Sequence, residues 1–282
     1  GRAYIEGLKE GGLMPAIKHF PGDGVDYRDQ HLMTSVNTMS IEDWEQTYGR
    51  IYRTMIEEGA LTAMVGHIAM PAMEEHFDGQ PCRKVIPASN SRNIMTGYLR
   101  GVLGFNGLIS TDASPMVGLL SNTIRKESVP DAIENGADVL LFTKDLEEDV
   151  RYMKEGIQSG RLSRTRLDEA VTRILAVKAA MHLPEQKADG SIFRHETDLA
   201  VVACEEHARW ARECADKGVT LVKDTSLAFT VAYQEMFTIG KQIANSQTSF
   251  LPFVIAGVFY FIFNALVGWV MGRFEKRMSY YR

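Results

Sequence analysis

Two titratable side chains stand two residues apart in a glycine-containing loop that follows a short apolar run. In an extended loop Asp29 and His31 project to the same side, so the carboxylate can orient and charge the imidazole. Gly22 and Gly24 let the backbone turn there, and Pro21 stiffens the start of the turn. The spacing predicts a proton-transfer pair; the alternative is a polar surface loop whose Asp and His are only solvated.

Two further polar residues stand where apolar runs end. Asp112 closes the run Gly107 to Asp112, and it is either the N-cap of a following helix or a reactive carboxylate at the edge of a sheet. His67 closes the run before Ile68, where it either lines a pocket or serves as hydrogen-bonded scaffold. The residue types alone leave these alternatives open.

The loop that carries Asp29 and His31 resembles the signature of glycoside hydrolase family 3, in its β-N-acetylglucosaminidase branch. The matching string is Lys-His-Phe-Pro-Gly-x-Gly, which begins at Lys18 and is followed by Asp-x-His. The resemblance implies that Lys18 and His19 bind the sugar, and that the Asp29–His31 dyad is the general acid/base. Asp23 stands where many members of the family have His, and we interpret it as branch variation that does not touch these roles.

A second family motif contains Asp112. Gly-Phe-x-Gly-Leu-x-x-Ser/Thr-Asp-x-x-x-Met supplies the nucleophile in this family, and the resemblance assigns that role to Asp112, although Ser114-Pro115 is an unusual approach to Met116. The resemblance extends from Gly1 to about Asp224. It implies a retaining glycosidase that acts on terminal β-linked N-acetylglucosamine, a reaction that needs no metal and no cofactor. His67, from its position at a strand end, remains a candidate substrate-binding residue beside the scaffold alternative.

The elements that must position these residues alternate between short apolar runs and amphipathic stretches, which predicts β/α repetition around a parallel sheet. Strands are expected at Leu13 to Phe20, Leu61 to Met70, Gly107 to Asp112 and Gly136 to Phe142. Helices are expected at Ile41 to Glu58, Asn90 to Leu103, Val129 to Asn135 and Leu146 to Met181, the last one split at Gly160. A closed (β/α)₈ barrel needs eight units, so the four units predict half of a TIM barrel over residues 1–182, and the family resemblance implies that it is the C-terminal half.

Composition sets broad limits on function. The chain has 282 residues, 45% hydrophobic and 24% charged, as in ordinary globular domains, and its net charge of −5 argues against nucleic-acid binding. Its three cysteines, Cys82, Cys204 and Cys214, are too scattered to predict a metal site or a disulfide framework.

The two motifs together predict retaining glycoside hydrolysis, in which one group attacks the anomeric carbon and a partner moves the proton. The partner here is His in place of the usual second carboxylate. A neutral His repels an incoming anion less than a carboxylate does, so a phosphorylase that uses phosphate as the acceptor is an alternative for the same site.

The C-terminal part predicts different chemistry. Residues 183–224 are expected to form a linker, a helix from about Asp198 to Lys217 and a strand. The stretch Phe250 to Gly272 has 23 residues without a charge, followed by Arg273, Lys276 and Arg277, which predicts a transmembrane helix with a cytoplasmic C-terminus and the lipid bilayer as a partner. Residues 221–282 resemble the end of a polar amino-acid ABC transporter permease, and residues 225–282 are expected to form a membrane segment.

These two parts conflict in topology. A cytoplasmic C-terminus after one span places the barrel outside, whereas the start of the chain carries no export signal. The string Val219 to Thr225 fits both families at once. We therefore interpret the chain as a chimera of two unrelated fragments, and the second function class is a non-catalytic membrane fragment of a permease.

Overall fold

The computed structural model of the chain describes residues 1–82, 84–120, 123–192 and 200–218, together with Trp269 and Arg273. The chain divides into two compact units, Gly1–Arg194 and His195–Arg282. The first unit carries both motifs, and the fold described below is that of this unit unless stated otherwise.

The centre of the first unit is a parallel sheet. Strands β1 (Ala16–Phe20), β3 (Thr62–Val65) and β5 (Leu108–Thr111) lie in the order β1-β3-β5, with Ala16 paired to Thr62 and Thr62 paired to Leu108. A second parallel pair joins β2 (Ser35–Val36) to β4 (Ile68–Ala69). The carboxyl ends of all three sheet strands therefore point to the same edge, as the sequence predicted.

Helices alternate with these strands. The α-helices of the first unit are α1 (Arg2–Glu10), α2 (Ile41–Trp44), α3 (Arg50–Glu57), α4 (Pro71–Asp78), α5 (Arg125–Glu134), α6 (Leu146–Ser159), α7 (Arg164–Ala180) and α8 (Leu183–Asp189). π-Helical segments cover Glu45–Gly49 and Asn93–Val102, and short 3₁₀ turns cover Ala88–Asn90 and Val117–Leu120. In the second unit the described residues form α9 (Glu205–Gly218). Mixed α/β architecture with parallel sheets is thereby established.

Several predicted elements differ in extent. The predicted strand Leu61 to Met70 is divided at Gly66 and His67 into β3 and β4, which join different sheets. The predicted strand Gly136 to Phe142 makes only a single parallel bridge, Ser110 to Val139, although the Thr111 N–H also donates to the Val139 carbonyl at 3.0 Å. The predicted linker contains α8, and the helix expected from Asp198 begins at Glu205.

Aromatic side chains pack between the sheet and its helices. Phe20 at the end of β1 contacts the rings of Trp44 and Tyr52 with centroid separations of 5.9 Å and 5.0 Å. The Trp44 Nε1–H donates to the Pro21 carbonyl at 2.6 Å. This bond attaches the helical layer to the start of the loop that carries the first motif.

A buried carboxylate ties the last helices to the sheet. The side chain of Asp138 is 0% exposed and accepts hydrogen bonds from Arg100 Nη2 at 2.7 Å, Arg166 Nη2 at 2.7 Å and the Ile109 N–H at 2.9 Å. Arg166 is on α7 and Ile109 is in β5. Asp138 therefore compensates two buried guanidinium groups while it satisfies a strand N–H.

The membrane prediction requires correction. Across the residues that the structure describes, no helix is both long and apolar enough to cross a bilayer. The predicted span 250–272 lies outside the described residues apart from Trp269. The predicted membrane localisation with a cytoplasmic C-terminus is therefore wrong on the evidence of the described chain, and the lipid bilayer as a partner has no support.

Candidate active site

Asp112 lies immediately after β5 with its carboxylate held at one oxygen. Its Oδ1 accepts the Ala113 N–H at 2.7 Å, and its own N–H donates to the Val65 carbonyl at 2.8 Å, which anchors it to the end of β3. The side chain is 14% exposed. The next described helical element begins only at Val117, so Asp112 does not cap a helix and the N-cap alternative is wrong.

His19 faces the other oxygen of Asp112. The His19 Nε2 atom lies 3.6 Å from Asp112 Oδ2, and its Nδ1 lies 3.6 Å from Asp23 Oδ2. These are close electrostatic contacts and not direct hydrogen bonds. The structure therefore places His19 between two carboxylates, and Asp23, interpreted from sequence as neutral branch variation, belongs to the site.

His67 is buried beneath these groups and is 0% exposed. Its Nε2 lies 3.0 Å from the Ala113 carbonyl and its Nδ1 lies 2.7 Å from Ser89 Oγ. Burial lowers the pKa of the imidazole, so the ring is neutral: Nε2–H donates to the carbonyl, and Nδ1 accepts from the Ser89 hydroxyl. Both ring nitrogens are used inside the protein, which favours the scaffold alternative over direct contact with a substrate.

The Asp29–His31 pair is formed in an exposed loop. The Nδ1 of His31 lies 2.7 Å from Asp29 Oδ1, and the same oxygen accepts the His31 N–H at 2.9 Å. Hydrogen bonds from the His31 backbone and then from its ring lower the pKa of Asp29, so the carboxylate is ionised. An ionised acceptor places the imidazole proton on Nδ1 and leaves Nε2 available for proton transfer.

The loop before this pair is braced by a second carboxylate. Asp26 accepts from Arg28 Nε at 2.7 Å through Oδ2, and the same oxygen accepts the Val36 N–H at 2.7 Å. The side-chain hydrogen bond from Arg28 holds the pKa of Asp26 well below its usual range. The segment between β1 and β2 is thus attached to β2 at a point ten residues further along the chain.

The two loops that carry the predicted catalytic groups contact each other directly. The Val117 N–H donates to the His31 carbonyl at 3.2 Å, and the Gly118 N–H donates to the Gln30 carbonyl at 3.1 Å. The structure therefore brings the dyad loop and the Asp112 loop to the same edge of the sheet.

The loop after Asp112, whose Ser114-Pro115 sequence is unusual, is firmly attached. The Ser114 N–H donates to the Leu141 carbonyl at 2.9 Å, and Arg125 Nη1 donates to the Ser114 carbonyl at 2.9 Å. Arg125 is itself paired with Asp149 through Nε at 2.9 Å. Pro115 is therefore accommodated without detaching the loop from its neighbours.

A cavity of about 600 Å³ opens beside β1. Its lining includes Lys18, His19, Gly22, Asp23 and Tyr48, together with residues of α1, of α3 and of the segment that leads into β1. Lys18 is exposed. The Tyr48 hydroxyl donates to the Asp23 carbonyl at 2.7 Å, which fixes the turn between the cavity and the site.

The cysteines and the potential metal ligands among the described residues form no further site. Cys82, Cys204 and Cys214 are free thiols. Within the ranges that the structure describes, no group of three or more His, Cys, Asp or Glu side chains is arranged to hold a metal ion.

Comparison with known proteins now decides the family. Residues 1–177 match the profile of the glycosyl hydrolase family 3 N-terminal domain. The chain belongs to glycoside hydrolase family 3. The predicted relationship to glycosidases is therefore confirmed, and both motifs lie within the matched residues.

Curated relatives in this family match this chain over different lengths. A β-N-acetylglucosaminidase/β-glucosidase of Cellulomonas fimi is 45% identical over 231 residues, which cover 79% of this chain and 39% of that protein. The β-hexosaminidase LpqI of Mycobacterium tuberculosis is 29% identical over 179 residues, 62% of this chain and 45% of that protein. The chain thus spans less than half the length of these relatives.

Solved structures agree with the sequence relationship. A β-glucoside phosphorylase, BglX, bound to 2FGlc is 46% identical, with a TM-score of 0.75 over 79% of this chain and 40% of that one. A family 3 β-N-acetylglucosaminidase from Paenibacillus is 28% identical, with a TM-score of 0.59 over 65% of this chain and 34% of that one. Hydrolases and a phosphorylase therefore share this fold.

The permease resemblance of residues 221–282 gains no support from these relatives. The family match ends at residue 177, and residues 219–268 lie outside the described part of the chain. The chimera interpretation and the permease function are therefore not supported.

Proposed function

We propose that this family 3 chain carries the catalytic edge of a retaining enzyme that cleaves terminal β-linked N-acetylglucosaminides. The observation that supports this most strongly is the direct hydrogen bonding between the Asp29–His31 loop and the loop that follows Asp112. A nucleophile and an acid/base must act on one sugar ring, so their loops must share an edge.

In the first step Asp112 is the nucleophile. Its Oδ2 attacks the anomeric carbon while the glycosidic C–O bond breaks, and the leaving oxygen takes the Nε2 proton of the His31 imidazolium, which becomes neutral. Oδ1 stays bonded to the Ala113 N–H, which limits the carboxylate to one productive orientation. His19, 3.6 Å from Oδ2, and Lys18 are proposed to bind the sugar hydroxyls.

In the second step water replaces the enzyme on the anomeric carbon. Neutral His31 accepts a proton from water, the oxygen attacks the carbon, and the bond to Asp112 breaks to regenerate the carboxylate. Asp29, 2.7 Å from His31 Nδ1, stabilises the imidazolium whenever it forms. His67 is proposed to support Ala113 from below and not to contact the substrate.

For the fold we propose that residues 1–182 form the last four β/α units of a (β/α)₈ barrel. The parallel order β1-β3-β5, with the segment around Val139 bridged to β5, supports four consecutive strand positions. We propose that residues 183–224 lead into a second domain.

A hybrid protein tests the proposed function. The hybrid joins residues 1–182 of this chain to the parts of the Cellulomonas fimi relative that these residues do not match. We expect it to hydrolyse a chromogenic N-acetylglucosaminide, Asp112→Ala to abolish turnover by at least about 10³-fold, and His31→Ala to impair it by about 10²-fold or more. Full activity in the Asp112→Ala hybrid would rule out the assignment.

A second candidate function is phosphorolysis of β-glucosides. It is favoured by the 46% identity to a β-glucoside phosphorylase and by an imidazole acid/base, which repels phosphate less than a carboxylate does. Assay of the hybrid with and without inorganic phosphate separates the two candidates, because phosphorolysis releases a sugar 1-phosphate and hydrolysis releases the free sugar.

A further inference from the structure

Gln30 stands between the two members of the proposed dyad in sequence, yet it faces the interior. It is 6% exposed, whereas the side chains of Asp29 and His31 are 58% and 72% exposed. A buried glutamine has four hydrogen-bonding positions to satisfy, and leaving them unmade is costly. Its partners therefore show what the dyad loop is attached to.

The amide of Gln30 joins two separate parts of the site. Its Nε2 donates to Asp23 Oδ2 at 2.9 Å, and its Oε1 accepts the His67 N–H at 2.7 Å. The donor and acceptor assignment is unambiguous, since a carboxylate cannot donate and a backbone N–H cannot accept. The amide thus connects the turn after β1 with the end of β3.

These contacts form a closed circuit of side chains and backbone groups, which we call the polar ring. Its members are linked in order by hydrogen bonds or close electrostatic contacts: Asp112, Ala113, His67, Gln30, Asp23 and His19. The proposed nucleophile lies on one side of the ring and Gln30 on the other. Since His31 follows Gln30 directly, the acid/base is attached to the nucleophile through this ring.

Gln30 is tightly packed by backbone on two sides. A Cβ at Gly66 would lie 2.9 Å from Gln30 Oε1, and a Cβ at Gly118 would lie 2.6 Å from the Gln30 carbonyl oxygen. Close approach of backbone on two sides holds both the amide and the main chain of this residue. A displacement of Gln30 therefore shifts His31 relative to Asp112.

We propose that Gln30 is a positioning residue that aligns the acid/base His31 with Asp112 through its bonds to Asp23 and His67. This inference rests on the proposed function for its catalytic consequence, but the placement itself is testable without turnover. Loss of the amide bonds should impair proton transfer to the leaving group more than it impairs attack by the nucleophile.

The first test measures placement in the 282-residue chain. Gln30→Met keeps the length of the side chain and removes its hydrogen bonds, and Gln46→Met is the matched control because Gln46 is exposed on the helical segment after β2. We expect hydrogen exchange of the His67 amide, followed by NMR, to become roughly 10-fold faster in Gln30→Met and to stay unchanged in Gln46→Met. Unchanged exchange in Gln30→Met would overturn the proposal.

The second test measures the catalytic consequence in the hybrid protein. For Gln30→Met we expect kcat/KM to fall by about 10²-fold with an alkyl N-acetylglucosaminide, whose leaving group needs a proton. With a dinitrophenyl N-acetylglucosaminide, whose leaving group needs none, the fall should be less than about 5-fold. Equal losses on both substrates, or none, would show that Gln30 does not position the acid/base.

The two tests separate failure of the inference from failure of the proposed function. If the unsubstituted hybrid cleaves neither substrate, the proposed function is contradicted. Hydrogen exchange at His67 would then still decide whether Gln30 holds the loop.

Discussion

Removal of the Asp138 carboxylate gives the sharpest test of how the last helices are attached to the sheet. Asp138→Ala deletes two charge-assisted bonds of 2.7 Å and the 2.9 Å bond from the Ile109 N–H. Losing one partner of a buried ion pair costs about 3–5 kcal/mol. The remaining guanidinium groups keep other acceptors, the Gly107 carbonyl for Arg100 and the Ala137 carbonyl for Arg166, so the lower end, about 3 kcal/mol, is expected.

Urea unfolding of the 282-residue chain, followed by fluorescence of the buried Trp44, measures this loss. The control is Asp168→Ala, which removes an aspartate from a pair with Arg164 at 3.0 Å whose side chains are 58% and 78% exposed. An exposed pair of this kind contributes about 0–1 kcal/mol. Equal unfolding free energies for the two variants would refute the assignment of Asp138 as the buried anchor.

Two other predictions concern pH and packing. Because burial lowers the pKa of His67 in the folded state, the unfolded state binds more protons below about pH 6.5, so stability is complete above that pH and declines as the pH falls. His67→Gln should flatten this decline in urea midpoints measured from pH 8 to pH 5, and an unchanged slope would contradict the prediction. Gly118→Ala should lower the unfolding free energy by about 1–3 kcal/mol because its Cβ meets the Gln30 carbonyl at 2.6 Å. Gly7→Ala, where a Cβ meets nothing within 4 Å, should be neutral or stabilising, and similar thermal midpoints for both would argue against the close approach.

The sequence predicted the positions that the sheet brings together, because strand ends can be located from apolar runs. β1, β3 and β5 all lie inside predicted strands, and the sequence also indicates His67 and Asp112, which lie just beyond the ends of β3 and β5, as candidate site residues. Helices α6 and α7 are separated at Gly160, as expected from the glycine, which has φ of 77° there. Local periodicity and turn residues carry this information in the chain itself.

The sequence could not show what joins the strand ends. Gln30 looks like a spacer within Asp-x-His, and its bond to His67 spans 37 positions, which only the register of β1 against β3 creates. From sequence alone Asp23 looks like branch variation, because its hydrogen bond to Gln30 is not visible in the local pattern. Helix α4 was hidden because Met70 extends an apolar run into Pro71, where the helix in fact begins. Long-range contacts depend on tertiary placement, and neighbouring residue types do not encode it.

The closed form of the polar ring has a consequence for how this site can change. In a circuit each member has two partners, so replacing one member removes one contact from each of its two neighbours. Gln30 Nε2 donates to Asp23 Oδ2, and the two atoms are 2.9 Å apart. We therefore expect a change of Asp23 in this chain to need a matching change of Gln30, so an attempt to alter substrate preference here would exchange the two residues as one unit.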